Sequence, residues 1–171
     1  MFTNLIKYYC PRGKWGVGLL LAALTFSAVA QEPPGIALVA HGISRHSHRL
    51  TAAGNPYNER NPGWGLRLTM SPTLTLQGGR YLNSLSTPSR PLHSRYLAAD
   101  WLPLSIPAGR TNIGLFAGVV DGYPTMNRGS LTPVGGAIIR THFGPLNLTL
   151  RATPSKDSHS VAALELAYQL N

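Results

Sequence analysis

The chain has 171 residues and a net charge of +9, from 15 Lys plus Arg against 6 Asp plus Glu, and its one cysteine is Cys10. That length fits a single domain, and one thiol excludes a disulfide framework or a cysteine-built zinc site. Eighteen glycines and 14 prolines break the apolar runs into short pieces, which excludes a helical bundle.

Residues 1–30 read as a cleaved signal peptide. Lys7, Arg12 and Lys14 form a basic start, Val17 to Phe26 an apolar core, and "AVA" (Ala28 to Ala30) supplies small residues for cleavage before Gln31. The apolar core is too short for a membrane span, which needs about 20 residues. No later run reaches that length either, so a helical membrane protein is excluded. Residues 31–171 keep twelve cations, eleven of them arginine, and all six acids, a net charge of +6. Guanidinium forks match phosphate, so phosphorylated lipid headgroups are a candidate partner, with a generally basic soluble surface as the alternative. Nucleic acid is not an expected partner of an exported chain.

Period-two alternation then predicts eight strands. The first is "GIALVAHGISRH" (Gly35 to His46). The second, about Trp64 to Met70, sets Trp64, Leu66, Leu68 and Met70 against Gly65, Arg67 and Thr69. The third, Thr73 to Asn83, sets Leu74 and Leu76 against Thr75 and Gln77. In the fourth, Ser94 to Leu104, Leu97, Ala99 and Trp101 oppose Tyr96, Ala98 and Asp100. A fifth runs from Asn112 to Val120 and a less cleanly patterned sixth from Val134 to Phe143. The seventh, Leu146 to Ala152, turns Asn147, Thr149 and Arg151 to one side. The eighth, Ala162 to Asn171, sets Leu164, Leu166 and Tyr168 against Glu165 and Gln169.

An even strand number suits a closed antiparallel barrel. A soluble barrel would bury the leucines, whereas a membrane barrel would turn them to lipid. The leucine parity is nearly free of charge, while Arg67, Asp100, Arg151 and Glu165 share the other, which favours an all-β, eight-stranded antiparallel outer-membrane β-barrel over residues 31–171. Inward Gly65, Gly79, Gly114 and Gly118 would relieve crowding. Arg80 shares the parity of Leu74 and Leu76, so it must lie near an interface or follow a change of register.

Several stretches carry a family resemblance. "YNERNPGWGL" (Tyr57 to Leu66), "GRYLNS" (Gly79 to Ser84), "YLAADWLPL" (Tyr96 to Leu104), "NIGLFAGVV" (Asn112 to Val120) and "FGPLNLTLRATPS" (Phe143 to Ser155) resemble, in order, segments of the lipid A palmitoyltransferases of Gram-negative outer membranes. The resemblance implies a barrel whose interior pocket measures an acyl chain, moving palmitate from a phospholipid donor to a lipid A acceptor without a cofactor. A monomer is expected. That family's reaction uses a His, an Asp and a Ser near the extracellular rim. Here the Ser falls on Ser84, the Asp position on Asn83, and the His on His46 or His41, with His46 needing the smaller shift in spacing. Asn83 has no carboxylate to act as a base, although its amide can orient a histidine or donate to an oxyanion.

Taken alone, Ser84 in "NSLSTPS" reads as a turn serine, and the histidines of "HGISRHSH" as polar loop residues. His46 and His48 share a strand face, but no second cluster has ligand spacing, so no metal is expected. Without a GxSxG elbow, an α/β hydrolase is unsupported. Pro62, Pro133 and Pro154 read as turn punctuation, or alternatively as weak points in the ladder where lipid enters sideways. Two rival functions stay open: a non-catalytic barrel serving envelope integrity or surface interaction, and a lipid A deacylase.

Overall fold

Alternating side chains point to opposite faces of a strand, so each predicted run offers one apolar and one polar face to its neighbours. A computed structural model describes residues 34–51, 53–106, 110–154 and 160–170; the expected signal segment and Asn171 lie outside them. The strands are β1 (Gly35–His46), β2 (Arg60–Ser71), β3 (Leu74–Leu82), β4 (His93–Ser105), β5 (Thr111–Val120), β6 (Thr132–Phe143), β7 (Leu146–Thr153) and β8 (Val161–Gln169). Each pairs antiparallel with its sequence neighbours, and β1 closes on β8, from Ala37 opposite Gln169 to His46 opposite Val161. Closure leaves no free sheet edge.

The two faces are sorted by polarity, inside out relative to a soluble barrel. Leu66, Leu97 and Leu115 are 50%, 60% and 57% exposed, whereas Arg67 is 1% and Asp100 and Arg140 are 0% exposed. An apolar outer wall around a polar interior is the arrangement hydrocarbon demands and water penalises. The chain is therefore a barrel of the membrane type. No helix among the described residues is long and apolar enough to cross a membrane.

Short connections, at 72–73, 106–110 and 144–145, gather at one end, and the longer ones, at 47–59, 83–92, 121–131 and 154–160, at the other. A 3-10 turn, Asn127–Gly129, sits in the third of the long connections. In membrane barrels the short turns face the periplasm and the long loops face outward.

Three details go beyond the alternation. β2 begins at Arg60, and Pro62 lies within it on the outer face. Gly42 is an extra residue against β8, since His41 pairs with Glu165 and Ile43 with Leu164. Such a bulge shifts the parity beyond it, so the buried positions run Val39, then Ser44. Arg80 is settled as well. The β3–β4 register runs unbroken from Leu74 opposite Trp101 to Leu82 opposite His93, and Arg80 faces outward beside Trp64 and Arg95. An outward arginine costs about 2–4 kcal/mol at mid-bilayer but about 0–1 near an interface, and tryptophan marks that interface. Arg80 thus shares the Trp64 level of the outer wall, where an interface would tolerate it, with no change of register.

Close approach explains one inward glycine directly. A Cβ at Gly65 would stand 2.6 Å from Tyr96 Oη, and that hydroxyl belongs to the interior network.

Candidate functional site

A layer of charge crosses the lumen, beside buried apolar groups at Leu102, Phe116 and Ile138 and at Ala37, Val39 and Ala167. Asp100 on β4 accepts from Arg140 Nη2 at 2.6 Å and from Arg151 Nη1 and Nη2 at 2.6 and 2.9 Å. Thr75 donates to the same carboxylate at 3.1 Å. Arg151 Nε donates to Glu165 Oε1 at 2.9 Å, and its guanidinium carbon lies 5.0 Å above the Phe116 ring. Arg67 reaches Gln77 Oε1 at 2.9 Å, Thr149 Oγ1 at 3.2 Å and Glu165 Oε2 at 3.6 Å. Buried ions are tolerable only when paired and hydrogen-bonded. Three arginines against two carboxylates approach that condition here through Gln77, Thr75 and Thr149, with Arg67 Nη1 left without a hydrogen-bond partner.

Above this layer, towards the long loops, Gln77 Nε2 donates to Glu165 Oε2 and to Tyr96 Oη, both at 3.0 Å. That leaves the Tyr96 proton for His41 Nε2, 2.8 Å away, while His41 Nδ1 lies 3.6 Å from Glu165 Oε1. Tyr81 and Tyr96 flank the His41 ring with centroids 5.5 and 5.0 Å away. His41 is therefore a member of the interior network.

His46, Asn83 and Ser84 lie further in the same direction, all at the long-loop rim. The His46 ring stacks on Tyr57, with centroids 4.0 Å apart and planes 4° from parallel. Next to Tyr57, Asn58 donates its backbone N–H to the Ser84 carbonyl at 2.8 Å, joining the β1–β2 and β3–β4 loops. Asn83 is fully buried; its amide donates to the Gly122 carbonyl at 2.8 Å and its oxygen accepts the Leu85 N–H at 2.9 Å. Ser84 is 5% exposed. The three residues share one rim, and the contacts of Asn83 are those of a loop clamp. Among the described residues no three His, Asp, Glu or Cys side chains gather as a metal site.

No family model matches this chain and no curated protein sequence matches it. Among solved structures it resembles the de novo designed protein TMB2.3, solved by solution NMR, with a TM-score of 0.57 and 17% identity over 82% of this chain and 98% of that one. It is also similar to the Yersinia pestis outer membrane protein Ail in a phospholipid nanodisc, with a TM-score of 0.45 and 10% identity over 80% and 99%. The first likeness agrees with the barrel fold and extends no further.

Sequence reasoning had turned Arg67, Asp100, Arg151 and Glu165 inward, and all four meet. It missed Arg140, because the inward parity of β6 also carries Val134, Gly136 and Ile138 and shows no contrast with the outward one. A signal existed in retrospect: Thr149, on the inward parity of the neighbouring strand β7, supplies an uncharged acceptor for the Arg140 guanidinium.

Proposed function

We propose that this chain is an outer-membrane barrel that acts through its lipid-facing wall and outward loops, as a non-catalytic component of envelope integrity or surface interaction. One observation carries the reading: the Arg67, Arg140, Arg151, Asp100 and Glu165 cluster occupies the lumen, with four of the five side chains under 6% exposed. A charged layer puts guanidinium and carboxylate groups at mid-barrel, where they oppose both an acyl chain threading that level and a free ion path. The test is planar-bilayer recording of the refolded full chain, together with dye-uptake measurements on cells lacking it. Steady conductance steps, or an envelope barrier unchanged by the deletion, would sink the proposal.

A second reading, transfer of palmitate from phospholipid to lipid A, is favoured by the shared rim of His46, Asn83 and Ser84. In it His46 removes the proton of the acceptor hydroxyl or of Ser84, and nearby donors hold the oxyanion. The acyl chain would then lie outside the lumen. A groove of about 440 Å³ on the outer wall, between Ile43, Leu150 and Leu164 and beside Arg45 and Arg60, offers a place for it. Mass spectrometry of lipid A with and without the gene separates the readings: an added palmitoyl mass supports transfer, a lost acyl chain supports deacylation, and an unchanged spectrum supports the first proposal.

A further inference from the structure

The outer wall is not uniformly apolar. On the described strands its outward cations are Arg45, Arg60, Arg80 and Arg95, all on β1–β4 towards the long-loop rim. Outward strand positions near the short turns carry none, and the exposed Arg110 lies in the β4–β5 connection itself. Arg45 is engaged by Glu59 at 2.6 Å. Arg80 and Arg95 stand directly opposite each other across the β3–β4 ladder, a placement in which like charges repel. Asp121 takes up Arg95, with Nε and Nη2 both 2.8 Å from Oδ2. Arg80 has no ion-pair partner among the described residues.

The wall beside Arg80 is notched. Two residues down the strand, Gly78 is the outward position, and its neighbours across both ladders are Leu66 and Leu97, 50% and 60% exposed. The missing side chain between two leucines leaves a shallow recess, bordered by Leu97, whose Cδ1 would lie 3.4 Å from a Cβ at Gly78, and by the next outward residue, Leu76. Trp64, 61% exposed and opposite Arg80, flanks the guanidinium pair, and such residues favour the interface.

We propose that Arg80, with Arg95 beside it, binds a phosphate of lipid A in the leaflet on the long-loop side, and that one acyl chain of the same molecule lies in the Gly78 notch. Phosphate oxygens accept guanidinium forks and relieve the Arg80–Arg95 repulsion. The choice of lipid A over other anionic lipids rests on the outer-membrane reading above.

The test is native mass spectrometry of the refolded full chain with three probes: phosphorylated lipid A, the same lipid with its phosphates removed, and phosphatidylglycerol. The wild type is expected to retain phosphorylated lipid A at least about fivefold better than the dephosphorylated form, the factor one interfacial arginine supplies. Arg80→Gln removes that preference, while Arg110→Gln, an equal charge loss near the short turns, keeps it. Gly78→Leu weakens retention of lipid A with and without phosphate. Unchanged preference in Arg80→Gln, an equal loss in Arg110→Gln, or no effect of Gly78→Leu overturns the site. Equal retention of phosphatidylglycerol overturns lipid A as its occupant. Fractionation of the chain away from the outer membrane would defeat the outer-membrane reading on its own, independently of these binding results.

Discussion

Arg151 on β7 and Asp100 on β4 meet across the lumen as a bidentate pair, Nη1 to Oδ1 at 2.6 Å and Nη2 to Oδ2 at 2.9 Å. The two strands are not ladder neighbours, so the pair braces opposite walls. Removing the carboxylate strands two guanidinium groups, those of Arg151 and Arg140, in a buried site. Asp100→Asn is expected to destabilise the barrel by about 3–5 kcal/mol, the usual effect of leaving buried charge uncompensated. Urea unfolding in lipid vesicles measures it. Adding Arg140→Met to Asp100→Asn should recover part of the loss; a double variant as weak as the sum of the singles would deny the coupling.

Tyr96 links His41 to Gln77 through one hydroxyl. Tyr96→Phe removes both bonds with little change of shape and should cost about 1–3 kcal/mol. Gly65→Ala acts on the same group from the other side, because its methyl carbon would crowd Tyr96 Oη. Each variant should shift the His41 ring resonances in an NMR spectrum of the folded barrel. Unmoved resonances would mean that Tyr96 does not hold the ring.

Asn83 clamps the β3–β4 loop to Gly122 of the β5–β6 loop. Asn83→Ala should lose about 1–3 kcal/mol by leaving a buried carbonyl and the Leu85 N–H unpaired, and should speed proteolysis of both loops. Ser84→Ala lacks that side effect. It is the cleaner probe of the acyl-transfer reading, in which any palmitoyl addition to lipid A must vanish in both Ser84→Ala and His46→Ala.

Asp121 titrates outside the strands. The Arg95 backbone N–H, 2.7 Å from Oδ1, and then the Arg95 guanidinium hold its carboxyl below the usual carboxylate range. A depressed folded value means that the contact stabilises above the ordinary value near 4 and fades as pH falls through the lower, folded one. The carboxyl carbon of Asp121 should therefore titrate below that of a free aspartate. Arg95→Gln should move the midpoint only partly upward, since the backbone donor remains.

Most of the wall was legible because hydrocarbon and lumen impose one rule on every strand: β1 matches "GIALVAHGISRH" end to end, and Arg67, Arg151 and Glu165 turned inward as their leucine neighbours required. β6 blurred the rule, since its inward side mixes Ile138 with Arg140, and Arg140 was invisible for that reason. The rim was less legible. His46 on Tyr57 is a contact within the irregular β1–β2 connection, and Asn58 on Ser84 joins two loops distant in sequence because the barrel makes β2 and β3 adjacent. Gly42 also shifted the inward parity of β1 by one residue, so counting from Val39 alone would turn Ser44 outward.

The charged layer also constrains how the barrel can be built. Its charges come from β2, β4, β6, β7 and β8, and the last two supply Arg151 and Glu165. A partial sheet lacking them would carry Arg67, Asp100 and Arg140 into oil without their full complement of counter-ions. Strand-by-strand entry into the bilayer is thereby disfavoured, and curling and membrane entry become one cooperative event. A chain truncated before Leu146 should fail to resist protease in vesicles, although six of its strands are intact.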